Sequence, residues 1–344
     1  MKTNKKSYLK RILWGILCVL LIAPVITGFY MMNMPGKSAT EPLTELSDSE
    51  AQLAEQLERD VRHLAEDIGE RNMFTGETMQ QTTEWLEKRF GEAGFETRRH
   101  TYHPEIVAVQ GDHAAADNII AELPGEENPD EIIVIGAHYD SVPDSPGAND
   151  NASAVATLLA LAEWFADRPQ PRTIRFVSFA NEEPPFFYTS DMGSYAYARK
   201  CKERGDNITA MIALDGLGYF SNEEESQHYP APGISLFYPD KANFIGFVTR
   251  MRDAGLLRKT LRGFRERATI PSEGAALPGF IPGVYWSDHW SFWQHDFPAL
   301  LVTDTLLYRD RQYHTPGDTP DRLDFNRMAR VAEGLKYAVK GLAE

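Results

Sequence analysis

Residues 132–140 read IIVIGAHYD, a run of apolar residues and glycine that stops at His138 and Asp140. The run is rich in β-branched residues, lacks polar alternation and is short for a helix, which is the pattern of a strand buried on both faces. The same pattern recurs in IRFVSFA at 174–180, MIALD at 211–215 and PALLVTD at 298–304. Helical stretches separate these runs. The clearest spans about 151–165, with Val155, Leu158, Leu159, Ala162 and Phe165 on one side. Buried strands alternating with helices predict an α/β fold, with a mostly parallel central sheet covered by helices on both faces.

Upstream, Leu53, Leu57, Val61, Leu64 and Ile68, and then Trp85, Leu86, Phe90 and Ala93 before Gly94, repeat at helical spacing and predict two one-sided helices. Residues 219–286 break the rhythm with Gly, Pro and aromatic residues and are expected to form an excursion near the rim of the sheet. Residues 35–48 (PGKSATEPLTELSD) read as a linker, and 49–344 as one folded domain. Before the linker, Lys2, Lys5, Lys6, Lys10 and Arg11 precede 25 uncharged residues that include ILWGILCVLLIAPVITGFYMM. As a helix that stretch would span roughly 37 Å, so 12–34 is expected to be a transmembrane signal anchor. Residues 1–11 would then be cytoplasmic, with the lipid bilayer as a partner and the body at the cell membrane on the extracytoplasmic side.

The chain of 344 residues carries 35 Lys+Arg against 50 Asp+Glu, a net charge of −15. Such a balance excludes nucleic acid as a partner, because phosphate binding needs concentrated cations. Cys18 and Cys201 are the two cysteines, so no disulfide can form within the body.

Chemistry gathers where the strands end. His138 and Asp140 follow the first, Glu182 and Glu183 the second, Asp215 ends the third and Asp304 the fourth, with His314 following in YHTPGD. In open α/β sheets this rim is where ligands bind. Crowded carboxylates need compensating positive charge, and few Lys or Arg are placed to supply it, which makes a bound metal the economical neutraliser. Two imidazoles with carboxylates and no thiolate suit zinc, with cobalt or manganese also acceptable. Five such ligands, one of them bridging, can hold two ions about 3.5 to 4 Å apart.

HYDSVPDSPGANDNASAVA, FANEE, ALDGLG, SDHWSFW and YHTPGDTPDRLD, in that order, resemble the zinc aminopeptidases with two cocatalytic zincs, peptidase family M28. The resemblance runs from about residue 50 to the C-terminus. It implies a single α/β domain on an eight-stranded mixed sheet, two Zn2+ per chain, and peptide substrates with a free N-terminus. It further implies that Asp150 bridges, that His138 and Asp215 complete one metal site, and that Glu183 and His314 complete the other. Glu182 would be the general base, Asp140 the acid that orients His138, Asp288 another supporting acid, and Tyr313 a phenol that hydrogen-bonds the developing oxyanion. His289 is expected to be structural.

After the glutamates the sequence departs from the family, because Pro184, Pro185, Phe186, Phe187 and Tyr188 intervene before Gly193 and Ser194. Such an aromatic insert beside the base would line a specificity pocket or narrow its entrance. The reading is a membrane-anchored metallo-aminopeptidase. The alternatives are a single-zinc glutaminyl cyclase-like enzyme and a non-catalytic peptidase-like ectodomain acting as receptor or scaffold.

Overall fold

The computed structural model describes residues 7, 8, 10–18, 22, 28, 32–108 and 115–344. Helix α1 (Asp48–Arg62) starts at a capping box: the Glu50 N–H donates to the Ser47 hydroxyl, and the Ser47 N–H donates to the Glu50 carboxylate at 2.9 Å. Both groups would otherwise be orphaned at a helix start. The helix buries Leu53, Leu57 and Val61, as their spacing predicts. Helix α2 (Glu77–Glu92) buries Leu86 and Phe90 in the same core.

The strands are β1 (Thr97–Tyr102), β2 (Ala116–Leu123), β3 (Asn128–His138), β4 (Arg172–Phe179), β5 (Asn207–Leu214), β6 (Ile245–Arg250), β7 (Ser272–Leu277) and β8 (Ala299–Thr303). They form one eight-stranded sheet in the order β1-β2-β4-β3-β5-β8-β6-β7. Strands β4, β3, β5 and β8 run parallel, as does β6 with β7, whereas β1–β2, β2–β4 and β8–β6 are antiparallel. The sheet is therefore mixed and mostly parallel.

Helix α3 (Ala154–Ala166), α5 (Ala254–Arg265) and the C-terminal α7 (Phe325–Ala343) share a core with α1 and α2 on one face. Helix α4 (Gly193–Arg204) and the short α6 (His289–Gln294) cover part of the other. The stretch 219–286 does not lie wholly outside the sheet as expected, because its middle supplies β6, α5 and β7. Its flanks stand over the exposed end of the second face, where His228, Tyr229, Tyr238 and Trp286 line a cavity.

The expected transmembrane helix over 12–34 is overturned, since no helix among the described residues is long and apolar enough to cross a membrane. The described helical run 10–18 covers about 14 Å of a hydrocarbon core roughly 30 Å thick. Positions 19–21, 23–27 and 29–31 of that stretch lie outside the described residues. A bilayer partnership through that helix is not supported.

Candidate metal centre

Strands β3, β4, β5 and β8 are parallel, so their carboxyl ends open on one rim. His138 is the last residue of β3, Glu182 and Glu183 follow β4, and Asp215 follows β5. Asp150 comes from the segment between β3 and α3, and His314 from the loop before α7. The structure brings these six side chains together. Asp150 stands between the imidazoles: its Oδ1 is 3.2 Å from His138 Nε2 and its Oδ2 is 3.1 Å from His314 Nε2. Asp215 Oδ1 lies 3.5 Å from His138 Nε2, and Glu183 Oε2 lies 3.1 Å from His314 Nε2. Three groupings have ligand atoms close enough to hold an ion: His138–Asp150–Asp215, Asp150–Glu183–His314 and His138–Glu182–Glu183.

The donors are buried and incompletely satisfied. His138 Nε2, Asp150 Oδ1, Glu183 Oε1 and Asp215 Oδ1 have no hydrogen-bond partner. Buried polar atoms of this kind are costly unless something fills their coordination. Each of the four belongs to one or both of the first two groupings, whereas Glu182 carries no such atom. Imidazole and carboxylate donors without thiolate fit zinc, so the residues fit the metal that the sequence predicts.

Electrostatics agree. Burial pushes the Glu182 carboxyl well above the ordinary carboxylate range, and Glu183, Asp215 and Asp288 add to the rise against the opposing His138. Burial and the Asp150 charge push Glu183 to about 8. Burial likewise raises Asp215. On His138 burial opposes the charged form, yet the surrounding carboxylates, Glu182 foremost, raise its pKa well above the usual imidazole value. The cluster holds more negative charge than two imidazoles neutralise, so it takes up protons wherever no other cation is present.

Groups behind the ligands fix their backbone. Asp140 is buried and accepts the N–H groups of Glu182 and Glu183, each at 3.0 Å, while its Oδ1 lies 3.4 Å from His138 Nδ1. One carboxylate therefore sets both glutamates and the imidazole, the kind of support that orients metal ligands. Asp318 accepts the N–H groups of Asn149 (2.8 Å) and Asp150 (3.1 Å). Asn151 clamps the same loop to the end of β5, donating to the Leu214 carbonyl and accepting the Gly216 N–H. Asp304 accepts from Asn149 Nδ2 at 2.9 Å and from the Tyr219 N–H at 2.8 Å, so it serves the loop rather than the ligand cluster.

Sequence reasoning missed the bracing roles of Asp318 and Asn151, and also that of Arg71. Its fully buried guanidinium donates to the carbonyls of Tyr139, Leu64, Gly69, Pro146 and Gly147. Burial lowers its pKa to about 10 against the pull of Asp318, Asp140 and Asp150. Its partners are backbone carbonyls, which leave no trace in a pattern of side chains.

Tyr313 lines the cavity beside the ligands, its ring stacked on His314 at 3.7 Å, and burial raises its phenol well above the usual value. Asp288 is fully buried with neither oxygen hydrogen-bonded, and burial pushes it to about 7. His289 is fully buried, with Nε2 donating to the Val284 carbonyl at 2.8 Å. In the insert, Pro184 and Phe187 line the cavity, Phe186 is buried, and Tyr188 packs on Trp290 at 4.3 Å. Cys201 is buried, and burial pushes its thiol to about 11.

The sequence matches peptidase family M28 over residues 118–339, which is well over half of the chain. The chain belongs to peptidase family M28. Its ligand cluster and strand-end rim lie inside the matched region, and membership makes it a metallopeptidase, a hydrolase. The uncharacterized protein YfbL of Escherichia coli (strain K12) is 36% identical over 82% of this chain and 86% of its own length. A probable leucine aminopeptidase 1 of Trichophyton verrucosum is 26% identical over 77% of this chain and 68% of its own length. Among solved structures, a zinc aminopeptidase from Bacillus subtilis superposes with TM-score 0.65 at 16% identity, covering 86% of this chain and 95% of that one. Tannerella forsythia glutaminyl cyclase shares the fold with TM-score 0.60 at 20% identity, covering 83% and 98%. At such identities the structural likenesses establish the fold alone.

Proposed function

We propose that this M28 chain is an aminopeptidase that removes N-terminal residues from peptides with a free N-terminus, using two zinc ions and Glu182 as general base. The observation that carries the reading is the Asp150 carboxylate, with one oxygen toward His138 and the other toward His314. A single carboxylate so placed suits a bridge, with His138 and Asp215 completing one site and Glu183 and His314 the other. When bound, the ions would supply Lewis-acid polarisation of the scissile carbonyl and acidification of the attacking water.

The chain's own groups do the rest. Glu182 belongs to neither grouping that shares Asp150, so its carboxylate is left to take the water's proton at Oε2 and pass it to the departing amine. Asp140 holds the Glu182 backbone and so fixes where that carboxylate stands. Tyr313, beside His314 on the cavity wall, is placed to donate its phenolic proton toward the developing oxyanion. The cavity of about 380 Å3 opens from these residues and receives the first side chain of the peptide.

The test is release of free amino acids from unblocked peptides, but not from N-acetylated ones, by zinc-loaded protein. Glu182→Gln should lower kcat by roughly 10²- to 10⁴-fold with metal content retained. Unchanged turnover in that variant, or activity that survives exhaustive chelation, would sink the reading. The cyclase alternative needs one ion and leaves the His138–Asp215 pair without a role, and that pairing weighs against it. The receptor alternative leaves the orphaned donor atoms unexplained.

A further inference from the structure

The cavity beside the metal centre is lined mainly by apolar and aromatic side chains, with one carboxylate in its far wall. Glu273 lines it from β7, the edge strand. Strand register places it relative to the metal centre. Glu273 pairs with Gly246, Gly246 pairs with Thr303, and Asp215 follows Leu214, which pairs with Val302. Glu273 therefore stands on the same rung as Asp215, three strands across, a backbone separation of roughly 14 Å at about 4.8 Å per strand. Thr303 and then Gly246 lie between them on that rung, and Gly246, which has no side chain, leaves a trough between Thr303 and Glu273. A lysine or arginine side chain, together with the reach of the glutamate, fits that length.

Among the described residues no cation or donor satisfies the Glu273 carboxylate within the cavity. The cation it feels is Arg265, on α5, which packs on the opposite face of the sheet. There the guanidinium is held by the Ser272 hydroxyl (3.0 Å), the Ser272 carbonyl (2.6 Å) and the Pro35 carbonyl (3.0 Å). Arg309, which is not among the lining residues, donates to Gln227 at 2.9 Å and the Phe244 carbonyl at 3.0 Å, with its Nη2 left without a partner. Burial raises the Glu273 pKa against Arg265, and a cation arriving on the open side would favour its charged form.

The walls suit a cation on a long stem. Tyr229 and Tyr238 lie with ring centroids 6.0 Å apart, and Trp286 and Tyr308 stack at 6.4 Å and 11°. All four rings line the cavity. Aromatic faces attract ammonium and guanidinium groups, and the methylene stems of Lys and Arg pack well on apolar surface.

We infer that the cavity is a subsite for a basic N-terminal side chain, with Glu273 as the residue that selects arginine or lysine. This rests on the aminopeptidase reading and names its substrate class. The experiment compares arginyl, lysyl, citrullyl and leucyl 4-nitroanilides with the zinc-loaded full chain. Citrulline has the shape of arginine without its charge, so the arginyl-to-citrullyl ratio of kcat/KM isolates the carboxylate. We expect a ratio of roughly 30 or more, falling to about 1 in Glu273→Gln and below 1 in Glu273→Lys. A wild-type ratio near 1, with leucyl substrate still cleaved, overturns the inference and leaves the aminopeptidase reading standing. Failure to cleave any of the four defeats the parent reading instead. The subsite is then judged by calorimetric binding of argininamide against citrullinamide, and equal binding overturns it too.

Discussion

Adding zinc to chelator-stripped protein should raise its melting temperature in two separable increments. The donor set contains two groupings that share Asp150, each with buried atoms lacking any partner. A ligand bound only by the folded state stabilises it by about 4.1 kcal/mol per site at a free concentration 1,000 times its Kd. A body of roughly 300 residues unfolds with an entropy near 0.6 kcal/mol/K, so one filled site should raise Tm by about 6–7 °C and two by about 13 °C. Differential scanning calorimetry with buffered zinc, beside elemental analysis of ions per chain, measures both numbers. Glu183→Ala removes a ligand from the second grouping alone and should keep about half of the gain, whereas Asp150→Ala should lose most of it. In the metal-free protein burial and Asp150 push the Glu183 carboxyl to about 8, so binding near neutral pH must expel protons. The increment should therefore grow as the pH rises toward about 8. A full-size gain in Asp150→Ala, or no gain in the wild type, would refute the shared-carboxylate reasoning.

Two further outcomes are expected. Asp318→Ala removes the acceptor for the Asn149 and Asp150 N–H groups without touching a ligand side chain, and should weaken zinc by roughly 10- to 100-fold in a competition titration against a chromogenic chelator; affinity equal to the wild type would show that the loop holds itself. Burial depresses His289 to about 4, so the folded state keeps it neutral while the unfolded chain protonates it near 6.5. The sign follows: the unfolded state binds more protons between those values, so stability is lost as pH falls through that window, by about 3 kcal/mol at pH 4. Urea melts across the window should show a shallower pH slope for His289→Gln, and matching slopes would exclude His289 as the cause.

Strands β3, β4, β5 and β8 are legible in the sequence because parallel strands inside the sheet are buried on both faces and read as unbroken apolar runs. β1 escapes that reading, because TRRHTY is an edge strand with largely exposed side chains. β6 and β7 escape for a different reason. IGFVTR and SEGAAL are short and carry Gly246 and Gly274, and Gly246 is where the cavity needs an empty position. The ligands were legible because each stands just past a strand end or inside a motif with its own chemistry. Arg71, Asn151 and Asp318 were not, since they work through backbone carbonyls and amides that any sequence supplies.

That division has a consequence for how the site can change. The six clustered side chains sit at the carboxyl ends of parallel strands and on loops braced by Arg71, Asp140 and Asp318, where displacing one backbone segment disturbs several donors together. The cavity walls come mainly from elsewhere, from the flanks of 219–286 and from the edge strands β6 and β7. Those strands contribute none of the six clustered side chains. On the proposed function, substitutions at Tyr229, Glu273 or Trp286 would therefore reshape which side chain the cavity accepts while Asp150 stays between His138 and His314. The aromatic insert is the exception. Phe187 lines the cavity four residues after Glu183, and the Phe186 N–H donates to the Glu183 carbonyl at 3.0 Å. A change in that insert reaches preference and donor geometry at once, so there the metal centre and the substrate pocket are mechanically a single structure.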